Sequence, residues 1–125
     1  MTPTSRVLLA LAALCIPAFL LAQSANETYS DANKMQAETD RQLNAAYQGL
    51  IKSIRDEGRP DADLDLEQLR DSQRAWLKYR DAQVAFVGTH AAIGSASARA
   101  AGMASYSVDL TKERIKDLKD VPNPF

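Results

Sequence analysis

From residue 7 to residue 22 the chain reads VLLALAALCIPAFLLA, an uncharged run placed directly behind the single basic residue Arg6. Beyond it the pattern changes, and apolar residues recur every three or four positions among polar ones, the spacing that marks one face of a helix. Between residues 26 and 120 the only proline is Pro60, and glycines fall at 49, 58, 88, 94 and 102. The breakers therefore cluster near 58–60 and 88–94 and divide the chain into three segments.

The first segment runs from about Ser30 to Glu57, with Leu43, Tyr47, Leu50, Ile51 and Ile54 forming a helical stripe. Gly58 and Pro60 end it, and Lys52, Arg55 and Arg59 stand where a helix C-terminus favours positive charge. The second opens with Asp61, Asp63, Asp65 and Glu67, acids suited to an N-terminal turn. It continues with Leu66, Leu69, Gln73, Trp76, Leu77, Arg80, Val84 and Val87 at helical spacing, and Gly88 is its expected stop. The third runs from about Ser95 to Leu118. Its later half sets Met103, Ser107, Leu110, Thr111, Ile115 and Leu118 in register, while its earlier half is built from Ala96, Ser97, Ala98, Ala100, Ala101 and Ala104. Small residues let a neighbouring helix come close but bury little apolar area. Lys112, Arg114, Lys116 and Lys119 crowd the final turns. No segment alternates with period two, so the pattern predicts an all-α fold, a small antiparallel bundle of three helices.

Charge and cysteine content refine this picture. The 125 residues carry 15 Lys plus Arg against 16 Asp plus Glu, a formal charge of −1, and basic residues alternate with acids rather than forming a single-sign stretch. That excludes an electrostatic nucleic-acid footprint. The apolar run is shorter than a bilayer span and is interrupted by Pro17, so residues 1–24 read as a secretory signal peptide rather than a permanent membrane anchor. Cleavage after Ser24 places small Ala22 and Ser24 at −3 and −1, whereas cleavage after Ala22 leaves the large Leu20 at −3; beyond the leader lie a domain over 25–121 and a proline-bearing tail over 122–125. The exported domain is slightly acidic. Its expected location is outside the cytoplasm, in a periplasm or at the exterior of the cell. The only cysteine, Cys15, lies in the leader between bulky neighbours that do not suit lipidation, so the exported domain has no disulfide.

Catalytic constellations are scarce. With one histidine, His90, in a Gly/Ala/Ser stretch and no cysteine in the exported part, neither a hydrolytic triad nor a zinc site is available. GTHAAIG lacks the Lys and the preceding strand of a phosphate loop. The acids sit mainly at helix starts and on exposed faces, where capping explains them better than paired-carboxylate catalysis. The expectation is a non-enzyme without metal or cofactor.

Polar residues on otherwise apolar faces are more informative. Asp40, Asn44 and Tyr47 fall at i, i+4 and i+7 of the first segment; Gln73, Trp76 and Arg80 fall at i, i+3 and i+7 of the second. A guanidinium facing the interior must be paired, and Asp40 is the best-placed acid, with Asn44 and Gln73 available to complete the hydrogen bonds. The set reads as an interhelical structural network; the alternative is a binding patch anchored by Trp76.

At these residues the chain resembles a known family. The stretches TDRQLNAAYQGL (39–50), LRDSQRAWLKYRDAQVAF (69–86) and LTKERIKDL (110–118), in that order and spacing, resemble the LprI-like family of bacterial exported proteins, named for a lysozyme inhibitor. The most specific part is Gln73-Arg74-Ala75-Trp76 followed by Tyr79-Arg80-Asp81, with Asp40, Leu43, Asn44 and Tyr47 upstream and Arg114 and Leu118 downstream. The resemblance implies a small helical domain outside the cytoplasm that binds a lysozyme or another peptidoglycan hydrolase. The chain departs from the family where members commonly carry cysteines, at Val84 and Tyr106. If those cysteines bridge the second and third helices, Val84 and Tyr106 here meet as an apolar contact instead.

A groove-filling inhibitor offers hydrogen-bond donors to the two carboxylates of a lysozyme. The 88–97 stretch, with His90 and Ser95 as its polar groups, is the candidate for insertion. The rival readings are an immunity or adaptor protein for another envelope partner, and a purely structural helical domain.

Overall fold

The computed structural model describes residues 16–90 and 94–121, with side chains from Gln23 onward except Ala25. Arg6, Cys15, residues 91–93 and the tail 122–125 lie outside the described residues. Three helices account for nearly all of the rest: α1 (Ile16–Asp56), α2 (Ala62–His90) and α3 (Ala96–Lys119). Among the described residues no helix is long and apolar enough to cross a membrane.

The three run up, down and up. Ala32 packs with Ala101 and Ala104, and Leu43 with Ile115 and Leu118, so α1 and α3 are parallel. Arg80 reaching Thr111 while Gly88 meets Met103 makes α2 antiparallel to α3. The heaviest packing is between α1 and α3, and the sequence neighbours α1 and α2 touch least. A small-residue face explains this: Ala101 and Ala104 allow α3 to lie close against Ala32 of α1.

The core is split. Among the described residues one cluster holds three alanines, and the other gathers Leu43, Ile115 and Leu118 with Tyr47, Leu50, Leu69 and Trp76 packed against it. At about 0.8 kcal/mol per buried methylene, the leucine-rich half supplies most of the hydrophobic stabilisation. Between the halves lies a polar layer of Thr39, Ser107 and Thr111, each at most 3% exposed. Thr39 and Thr111 bond back to Met35 O and Ser107 O at 2.7 Å each, and Gln36 Nε2 donates to Ser107 Oγ at 3.5 Å.

Several boundaries differ from the sequence expectation. α1 is already helical at Ile16 rather than near Ser30, because residues 18–30 hold neither proline nor glycine. By the parallel register, Ala96 at the start of α3 stands level with Ser24, so the earlier turns of α1 have no α3 beside them. Gly58 ends α1 with φ +62°, a left-handed conformation that suits glycine, and Arg59 ties the turn to α2 through Glu57 and Asp65. Gly88 does not stop α2, which continues to His90. It is buried against Met103, and an added Cβ would stand 2.5 Å from the Met103 sulfur. Close helix approach is its role, not termination. Leu77, assigned to the buried stripe by its spacing, is 36% exposed.

Candidate functional site

The residues singled out on α1 and α2 converge on Arg80. Its side chain is 13% exposed, and Nη1 donates to Asp40 Oδ1 at 2.7 Å and to Thr111 Oγ1 at 3.3 Å. Nε reaches Asp81 Oδ1 at a longer 3.4 Å, and the guanidinium carbon lies 5.3 Å from the centre of the Trp76 ring. One side chain thereby ties all three helices together. Thr111 supplies the third tie and has no counterpart among the sequence candidates; its signal is a small hydroxyl inside the Leu110–Leu118 stripe.

Other candidates take different places. Gln73 bonds Arg114 rather than Arg80: Arg114 Nε donates to Gln73 Oε1 at 3.1 Å and Nη2 to Ser72 Oγ at 2.9 Å, a second tie between α2 and α3. Asn44 is exposed and takes no part in the Arg80 cluster, because position 44 lies beyond the edge of the α1 face that Asp40 and Leu43 share. Tyr47 is half-buried against the leucine cluster.

His90 and Ser95 do not form a long loop. His90 ends α2 and stacks on Phe86, with ring centres 5.3 Å apart and planes 14° from parallel. Ser95 is the N-cap of α3: its Oγ accepts from Ala98 N at 3.2 Å and lies 3.0 Å from Ser97 Oγ. Its hydrogen-bonding capacity serves the helix start. The connection between α2 and α3 is thus shorter than the 88–97 stretch suggested.

What the buried pattern of α2 concealed is its outer face. Tyr79 (51% exposed) and Phe86 (59% exposed) stand at i and i+7 with exposed Ala82 between them and Ala75 before them, and His90 extends the line. This aromatic stripe was detectable as a second helical period offset from Trp76, Arg80 and Val87. From Ala82 to Val108 the chain has no carboxylate, although it holds 16 acids in all. Arg99 is the one arginine or lysine in that span.

Elsewhere, two open depressions lie at the opposite end of the bundle. One is lined by Ala46, Gly49, Leu50 and Leu118; the other lies between α1 and α2, lined by Leu50, Ile54, Leu69 and Val121 with Arg59 at its rim. On the exposed face of α1, hydrogen bonds from Arg41 and Gln42 hold the Glu38 carboxyl below its ordinary range, away from the clusters above. No group of three or more metal-ligating side chains assembles among the described residues.

The packing of α1 on α3, the three-way Arg80 tie and the Gln73–Arg114 tie all fall inside one matched region. A protein-family profile described as lysozyme inhibitor LprI covers residues 21–118. Neither a curated protein nor a solved structure matches the chain. Spanning nearly the whole three-helix unit, the profile match establishes that the chain belongs to the lysozyme inhibitor LprI family.

Proposed function

We propose that this protein is an exported binding domain that inhibits a peptidoglycan hydrolase by occupying its substrate groove. Family membership supports the inhibitor class, and the exposed aromatic face of α2 supports binding through a surface. The polar residues on the buried faces are engaged internally: Arg80 and Arg114 spend their donors on helix-to-helix ties, which suits scaffold residues. Exposed Tyr and Phe side chains are the usual anchors of a protein interface.

Export is part of the same proposal. Of the described residues, cleavage after Ala22 or Ser24 would remove turns of α1 that lie beyond the start of α3, leaving the packed part of the bundle whole.

The experiment is lysis of peptidoglycan by chicken-type, goose-type and invertebrate-type lysozymes with and without the purified protein. Slowed lysis by at least one type is the expected result. Unchanged lysis by all of them, at protein in large excess, would favour the immunity or adaptor reading.

A further inference from the structure

We infer that the outer stripe of α2 is the element that enters the hydrolase cleft, with Tyr79 and Phe86 seated in sugar subsites and His90 turned toward the cleft carboxylates. This rests on the groove-occupying reading above and specifies how it is done. Seven residues of helix place the two rings about 10 Å apart along α2. That separation is the length of one disaccharide repeat of a β-1,4-linked glycan, so two rings on one helix face meet alternate subsites of a cleft that binds such a strand.

The residues around the rings suit the same occupant. Ala75 and Ala82 keep the stripe low between the aromatics, which lets the helix backbone approach the cleft walls, as in other helix-in-groove complexes. Phe86 and His90 already stack in parallel, so the imidazole is held one turn beyond the second ring without further ordering. A glycosidase cleft carries two carboxylates, and the end of α2 and the start of α3 bring no acid to repel them. An imidazole N–H is a donor to a carboxylate.

The test uses a lysozyme type that the protein slows as the binding partner and chitotriose as the competing cleft ligand. Binding of the wild-type protein, of Tyr79→Ala, of Phe86→Ala and of the control Met35→Ala, an exposed residue on α1, is measured by calorimetry. The expected result is that each α2 substitution raises Kd about 30-fold, the loss of one interface anchor. Met35→Ala binds as wild type, and saturating chitotriose displaces the protein. Because the α2 side chains are exposed, the variants keep the wild-type melting temperature. Wild-type binding that survives both α2 substitutions, or that chitotriose does not displace, overturns this inference and leaves the proposed function standing. Failure of the wild-type protein to bind or inhibit any lysozyme type overturns both.

Discussion

Arg80 on α2 and Asp40 on α1, forty residues apart in the chain, meet at 2.7 Å beside the buried Thr111. The pair is unequal: the arginine side chain is 13% exposed and the aspartate 44%. Removing the arginine therefore strips Thr111, Asp40 and the Trp76 face of a partner together, whereas removing the aspartate leaves a guanidinium that still reaches Thr111 and Asp81. Arg80→Ala is expected to cost about 3 kcal/mol, the low end for breaking a buried pair. Asp40→Ala is expected to cost about 1 kcal/mol, because solvent screens its half-exposed carboxylate. Urea denaturation of both variants checks the ranking; equal losses would contradict it.

The second tie is more modest. Arg114 bonds two neutral acceptors, Gln73 and the hydroxyl of exposed Ser72, so Arg114→Ala should cost about 1–2 kcal/mol, a hydrogen bond to a charged donor. Combined with Arg80→Ala the losses should add, since the two arginines share no partner. A double-mutant cycle measures this directly.

At Gly88 two effects oppose each other. Alanine is about 1 kcal/mol better than glycine within a helix, but its Cβ pushes the Met103 side chain aside. The displaced atoms belong to a flexible thioether, so Gly88→Ala should be close to neutral. Gly88→Leu, with no room left, should cost about 1–3 kcal/mol through overpacking. Adding Met103→Ala to Gly88→Leu should recover part of that loss, which thermal melting of the three variants reads.

Val84 stands midway between Arg80, which faces Thr111, and Gly88, which faces Met103. The antiparallel register sets it level with Ser107, next to Tyr106. Replacing Val84 and Tyr106 by cysteine is expected to yield an oxidised crosslink closing 22 residues and stabilising the fold by about 3 kcal/mol. The gain should appear as a melting temperature that falls on adding reductant. The crosslink would lie at the polar layer, beside the alanine cluster, where burial contributes least.

The helices and the Asp40–Arg80 meeting were legible in the chain because both follow from spacing: the first from the period of 3.6, the second from the need to pair an inward guanidinium. Which helices pack most closely was not, because small residues signal close approach without naming the neighbour. Gly88 reads two ways for a related reason, as glycine marks both a helix end and a backbone contact, and only the position of Met103 decides between them. Gln73 lies two turns from Arg80 on its own helix but within hydrogen-bond reach of Arg114 on α3, a proximity that spacing along one helix does not reveal. Tyr79 and Phe86 form a second period offset from Trp76, Arg80 and Val87, and spacing alone does not decide which of two periods faces the neighbouring helices.

Groove occupancy is the central claim, and steady-state hydrolysis of a soluble chito-oligosaccharide by a lysozyme type that the protein slows tests it most directly. If the protein and the sugar exclude each other from the cleft, KM rises with added protein and kcat stays constant, because saturating substrate restores the full rate. A fall in kcat at unchanged KM, or no change in either constant with the protein in excess, would contradict it.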